Sequence, residues 1–456
     1  MQGKWMPYVV TLVLMCFAIF GAQPALAQDP STPAPASGQD VNSAPPKDAV
    51  RSGADPDNTL SGGAPGQYIV LGTDRQVALD PLLKYQFIYG MDLTEGYDDG
   101  VILFPSKTGV YYTLWTPRVG IIGRTTKSQY IIQYTPTISH FNNAGNTGVQ
   151  AYQEGTAEFH TEVNRGWGWD FTLNTQYGTY PLSLLSEFGF QSLDGVPAVN
   201  PNSILLLSSQ DYFNTDASVG LHWRASPRDL ITISTIYNYS NFRPNAVPGS
   251  VAGHLHRDDV TATYSHAVTR RFNILANGEE LHVFGPFGCT TYGGQLGASY
   301  EVHRGTTISA TAGPQFGSGV CSDSVVVSYS GHISSRLSRN WDGYLSAERT
   351  ATSPIHSALG GGLTDTYGAG LARRFGERVD FRLDGGYIRV ASLPGVPGSF
   401  SADGKYISPE LGWKFSKAFE LNFRYRKIYQ SVTGDNLDRN QAMVTLEWRP
   451  YLRGSL

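Results

Sequence analysis

From about Tyr85 to its end the chain alternates apolar and polar residues with a period of two. Between Gln129 and Phe141 one set of alternate positions reads Tyr130, Ile132, Tyr134 and Ile138, the other Gln129, Gln133, Thr135, Thr137 and Ser139; only Ile131 interrupts. Successive side chains of an extended strand point to opposite faces, so the stretch predicts a strand with one oily and one wet face. Next, Val149, Ala151, Ala157, Phe159 and Val163 oppose Gln150, Tyr152, Glu154, Thr156, Glu158, His160 and Glu162. Phe213, Ala217, Val219, Leu221 and Trp223 oppose Asn214, Asp216, Ser218, His222 and Arg224, and Val444, Leu446 and Trp448 oppose Thr445, Glu447 and Arg449. The pattern predicts an all-β chain.

Alternation also suits a soluble sandwich or a propeller, so the connections must decide. Short links fall at 126–127, 164–166, 226–228, 269–271, 304–305, 338–340, 376–378 and 416–417. Long polar stretches separate them, at 94–108, 141–148, 180–211, 242–257, 285–290, 317–324, 351–364, 391–405 and 431–438. Eight short and nine long connections join eighteen strands, with sixteen as the alternative count. An even strand number with long and short connections sorted by parity predicts a transmembrane antiparallel up-and-down β-barrel over 84–456, its termini on the short-link side.

A basic or polar turn residue is often followed by an aromatic that opens a strand: Arg165 then Trp167 and Trp169, Arg271 then Phe272, Asn340 then Trp341, Lys417 then Phe419. Aromatics at strand ends fit an interfacial girdle; a soluble core would be the other explanation, but the opposite strand faces are polar too. The Pro-, Ala- and Ser-rich leader over 28–66, the parity of the loops and these strand starts resemble bacterial outer-membrane β-barrel porins, including barrels associated with exopolysaccharide export. The resemblance is architectural, covers roughly residues 80–456 and has no diagnostic motif. Such barrels often finish on an aromatic residue that the assembly machinery reads, whereas here Trp448 is followed by Pro450, Tyr451 and a final Leu456.

The N-terminus reads as a secretory signal: Lys4, an apolar stretch from Tyr8 to Phe20, and Ala25-Leu26-Ala27 as a cleavage site, giving a signal peptide over 1–27. Residues 28–66, rich in Pro, Ala, Ser, Asp and Gly, predict a disordered periplasmic leader, and 67–83 a short pre-barrel segment. No later run reaches the roughly 18 apolar residues of a membrane helix, so a membrane would have to be crossed by strands. A net charge of -4 with 16% charged residues gives no basic surface for nucleic acid, and 51 Gly with 26 Tyr is strand-and-turn composition.

Candidate chemistry is sparse. Cys289 and Cys321 remain after signal removal, on either side of the tight turn at Gly305; a hairpin without a bulge would set them face to face at the rim, as a disulfide or as two free thiols. Glu154, Glu158 and Glu162 share the polar face of one strand, about 13 Å apart and too far for a catalytic pair. Arg382, Asp384, Glu410, Lys414, Glu420, Arg424, Arg426, Glu447 and Arg449 share an inner face near the C-terminus and suggest salt-bridge ladders or a field acting on solutes. The long stretch 180–211 carries Leu184, Leu185, Phe188, Phe190 and Leu205, too apolar to wave in water; it would constrict the lumen, pack on the rim or meet a partner. No nucleophile elbow, phosphate loop or metal-ligand spacing appears, so no catalytic residue, cofactor or metal is expected.

Three functions follow in order: a channel for small hydrophilic or saccharide solutes, a non-conducting surface or exopolysaccharide-export scaffold, and a rim hydrolase. The resemblance implies a Gram-negative outer membrane, with its lipid and lipopolysaccharide and the barrel-assembly machinery as partners. It also admits a homo-oligomer such as a trimer.

Overall fold

The computed structural model describes residues 85–102, 108–125, 127–142, 149–164, 166–180, 210–242, 253–284, 289–303, 305–319, 325–352, 362–392, 401–416, 418–432 and 435–450. The signal peptide, leader and pre-barrel segment lie outside them. The first nine strands are β1 (Tyr85–Ile102), β2 (Thr108–Arg124), β3 (Ser128–Asn142), β4 (Val149–Asn164), β5 (Trp167–Tyr180), β6 (Gln210–Ser226), β7 (Asp229–Phe242), β8 (Gly253–Ala267) and β9 (Phe272–Phe284). The second nine are β10 (Cys289–His303), β11 (Thr306–Gly319), β12 (Val325–Ser338), β13 (Trp341–Thr352), β14 (Gly362–Phe375), β15 (Val379–Ser392), β16 (Ser401–Lys414), β17 (Phe419–Val432) and β18 (Asp435–Trp448).

Each strand pairs antiparallel with its neighbours in sequence, and β1 also pairs with β18, closing an 18-stranded ring without an edge. The count expected from the connections is therefore the one observed. The strands are longer than the pattern suggested. β1 runs through the polar residues 94–99 that read as loop, and only residues 433–434 separate β17 from β18. Polar residues at a barrel rim look like loop because both faces are wet there, yet their backbones stay paired.

Register assigns the faces. Side chains on the convex face splay apart and those on the concave face converge, so exposed large residues mark the outside. Phe87 is 68% and Leu296 72% exposed, whereas Ile88 and Leu275 at neighbouring parities are 3% and 0%. Pro117 and Pro136, both outward, interrupt the β2–β3 ladder between the pairs Trp115–Ile138 and Val119–Tyr134, since neither has an N–H to donate. A hydroxyl contact between Thr116 and Thr137 (3.3 Å) bridges the gap from the inner face. At Gly313, which has its neighbour Pro314 on the outer face, a Cβ would sit 1.8 Å from the carbonyl oxygen of Gly294. Only glycine allows β10 and β11 to approach so closely.

The seam between β1 and β18 joins the two ends of the barrel. Asp98 of β1 is wholly buried; it accepts from Arg439 Nε (2.8 and 3.0 Å), from an Arg439 terminal nitrogen (2.5 Å) and from Gln441 Nε2 (2.7 Å) of β18. Two turns of the pleat away, Thr94 meets Thr445 at 2.9 Å. On the outer face Asn440 donates its backbone N–H (2.6 Å) and its side-chain amide (2.7 Å) to Asp99. The seam is thus tied by charge-assisted hydrogen bonds on both faces.

Candidate functional site

Three sectors of the inner wall stand out, and the register places most of the residues singled out from sequence. Glu154, Glu158 and Glu162 occupy inward positions of β4, opposite Gln176, Thr172 and Gly168 of β5. Glu154 accepts from Asn174 Nδ2 (3.3 Å) and Gln176 Nε2 (3.5 Å), and Asp216 of β6 accepts from Asn214 Nδ2 (2.9 Å) and from Asn238. These donors are neutral amides, which stabilise a carboxylate without cancelling its charge. Toward the short-link end Asp170 sits between two imidazoles: His160 Nδ1 contacts one carboxylate oxygen and His222 Nδ1 lies 3.4 Å from the other. The two rings stack at 5.5 Å and 7°. His222 lies over Gly168, where a Cβ would be 1.9 Å from its Nε2. The inward parity of His222 was readable; its place beside Asp170 depends on a cross-strand register that was not.

The second sector, β15 to β2, carries cations with carboxylates beside them. Arg424 of β17 donates to Glu410 of β16 from Nε (2.6 Å) and from a terminal nitrogen (2.5 Å), and Arg382 of β15 is in register with the same Glu410. Lys414 lies 3.5 Å from Asp380. Arg449 lies 2.6 Å from Glu447 and 4.0 Å from Asp92, which Arg118 also contacts. Arg426 is buried on the same wall, one inward position beyond Arg424. Here opposite charges alternate across the strands and compensate one another.

The third sector, β10 to β14, has small hydroxyl side chains inside: Thr291, Ser299, Ser309, Thr311, Ser328 and Thr364 are all buried. Gln295 ties three strands together, donating to Ser328 Oγ (2.9 Å) and accepting from Thr311 Oγ1 (2.6 Å). Sequence reading did not separate this wall from the others, because Ser and Thr suit either face of a strand. Nor did it single out the buried inward cluster of Val110, Tyr112, Leu114 and Phe141, with Met443 against it. Both faces of β2 are apolar there, so alternation is silent. Among the described residues no three His, Cys, Asp or Glu side chains are grouped to hold a metal ion.

Cys321 and the apolar residues Leu184, Leu185, Phe188, Phe190 and Leu205 lie outside the described residues. The β10–β11 register opposes Cys289 to Gly319, two residues short of Cys321. The expectation of a bulge-free hairpin centred on Gly305 is corrected on this point. The link is residues 304–305, and a bulge between Glu301 and His303 moves the register one further place.

A closed antiparallel wall, oily outside and polar inside, defines a transmembrane β-barrel. No family model and no curated protein matches the chain. Among solved structures it is similar to a BenF-like porin from Pseudomonas fluorescens Pf-5, with a TM-score of 0.44 and 10% identity over 80% of this chain and 98% of that one. It is also similar to OccK9 (OpdG) of Pseudomonas aeruginosa, with a TM-score of 0.44 and 9% identity over 80% and 98%. For the siderophore receptor PirA of Acinetobacter baumannii the TM-score is 0.43, with 7% identity over 79% and 80%.

Proposed function

We propose that this chain is a bacterial outer-membrane porin-like channel through which small hydrophilic or saccharide solutes diffuse. The observation that carries the reading is the two-faced wall of the closed 18-stranded ring. Rings of this strand number enclose an aqueous path in general, and the inward carboxylates, amides and ion pairs are groups that exchange hydrogen bonds with hydrated solutes. On this reading residues 1–27 are a removed signal peptide, the short links face the periplasm, the barrel-assembly machinery inserts the chain, and the apolar stretch around Leu184 to Leu205 narrows the lumen. The purified protein should give discrete ohmic steps in a planar lipid bilayer; intact, inserted protein that conducts nothing would refute the channel.

A second reading, a scaffold with a filled lumen, draws on the burial of the inward cluster at Val110, Tyr112, Leu114 and Phe141. The same conductance measurement separates the two. A disulfide between Cys289 and Cys321 belongs to either reading. Its support is the register, which pairs Cys289 with Gly319, two residues from Cys321 along the sequence. The unreduced protein should contain no alkylatable thiol; two free thiols in protein isolated without reductant would exclude the bond.

A further inference from the structure

The outer face is not uniform around the ring. Among the described residues, no outward position on β1 to β12 carries Lys or Arg. At the long-connection end of β13 to β17, by contrast, Arg349, Arg389, Lys405 and Lys427 all face outward. Arg389 is in register with Asp403, two residues from Lys405, and Lys405 with Tyr429, two residues from Lys427. Each of these three cations is therefore a diagonal neighbour of the next, roughly 7–8 Å away. Barrel strands tilt, which turns such a diagonal toward the horizontal, so the three form a short line along the membrane surface. Tyrosines support them: Lys405 Nζ lies 5.8 Å from the Tyr387 ring centre and Lys427 Nζ 4.8 Å from that of Tyr429. Carboxylates are interspersed: Asp365 is bonded to Arg349 and in register with Arg389, Asp403 stands in register with Arg389 on its other side, and Asp438 lies 3.6 Å from Lys427, so four cations on β13 to β17 meet three carboxylates on β14, β16 and β18.

Directly membraneward of this line lies an apolar groove of about 560 Å³ on the outer face of β1 and β15 to β18, lined by Phe381, Pro409, Leu411, Tyr425, Ala442 and Tyr97. Its floor is low because Pro409 and Ala442 stand where neighbouring positions hold large side chains. Lys427 is the next outward position beyond Tyr425 on the same strand, about 7 Å further along. Glu95, bonded by Thr113 at 2.9 and 3.0 Å, also lines the groove and would repel an anion within it. Negative charge is thereby directed up to the cations and uncharged chain down into the groove.

We propose that this face binds a phosphorylated, multiply acylated glycolipid of the outer leaflet, its phosphates on Arg389, Lys405 and Lys427 and an acyl chain in the groove over Ala442. The inference rests on the membrane orientation adopted above, and it adds a defined site and partner chemistry to that reading. Phosphate suits these cations, and a headgroup that is anionic above an oily chain matches the order of charge and groove.

The test uses delipidated barrel in detergent, titrated with bis-phosphorylated lipid A and followed by native mass spectrometry. Lipid A should be retained well above phosphatidylethanolamine, and inorganic phosphate should not displace it. Replacing Arg389, Lys405 and Lys427 with Gln should weaken retention by about fivefold per charge removed. Ala442→Trp, which fills the groove, should weaken it while leaving the charges in place. Equal retention of the two lipids, or unchanged binding by both variants, overturns the proposal. So does an oligomer that Ala442→Trp dissociates with lipid A binding intact, since a second copy would then occupy the groove. Conductance of the same samples tests the channel separately, because every substituted residue faces outward. A conducting barrel without lipid preference sinks only the glycolipid site, and a silent barrel that retains lipid A supports the site while refuting the channel.

Discussion

Asp98→Ala is expected to destabilise the barrel by about 3–5 kcal/mol, the typical cost of stranding one partner of a buried ion pair. Asp98 is fully buried and accepts hydrogen bonds from Arg439 and Gln441 across the β1–β18 seam. Its removal leaves the Arg439 guanidinium, itself little exposed, without the charge that offsets its desolvation. The position matters as much as the pair, because the seam joins strands some 340 residues apart and closes last in any order that zips hairpins from neighbour to neighbour. Asp98→Asn keeps an acceptor for Gln441 and should cost less. Replacing Asp98 and Arg439 together with Leu should recover much of the loss, since an ion pair exchanged for apolar groups is often close to neutral. Urea unfolding of the vesicle-inserted protein, followed by tryptophan fluorescence, reads all three. A loss below about 1 kcal/mol for Asp98→Ala would mean that the seam does not depend on this pair.

The same residues show what the sequence could and could not disclose. Strands such as β4, β6 and β18 were legible because membrane and lumen impose opposite polarity on alternate positions, and Glu158 beside Phe159 obeys that rule without exception. The ring size was legible because connection length alternates with the side of the membrane. Asp98 and Asp99 misled for a physical reason: two carboxylates in succession read as loop, whereas one is bonded inside to Arg439 and the other outside to Asn440. That distinction needs the register between β1 and β18, and nothing local to either segment encodes a pairing so remote in sequence. Arg382, Glu410 and Arg424 were recognisable as inward by parity. That Glu410 lies between the two arginines, with Lys414 turned to Asp380 instead, again depends on register. The outward line of Arg389, Lys405 and Lys427 was hidden for a related reason. These positions fell in or beside stretches that looked like loops, and a loop has no outer face.

Replacing Glu154, Glu162 and Asp216 by their amides is expected to lower the cation-over-anion permeability ratio about fivefold at 0.1 M salt. The carboxylates of β4 to β6 meet amides and imidazoles, whereas the cations of β15 to β2 are offset by Glu410, Asp380, Asp92 and Glu447. The wall of β4 to β6 is therefore expected to hold this side of the lumen negative, and wild-type protein should prefer cations. A charge roughly 10 Å from a passing ion contributes about 0.4 kcal/mol in water. Screening over a Debye length of about 10 Å leaves roughly a third of that. Because the effect has opposite sign for cation and anion, each charge changes the ratio by somewhat less than twofold, and three multiply to about fivefold. Reversal potentials under a salt gradient measure this directly. At 1 M salt, with a Debye length near 3 Å, the difference between variant and wild type should nearly vanish. Glu95→Gln supplies the control, since Glu95 faces outward and its loss should leave the ratio unchanged. An unaltered ratio in the triple variant at low salt would place the selectivity elsewhere, and a shift equal to that of Glu95→Gln would show that the charge acts from outside the lumen.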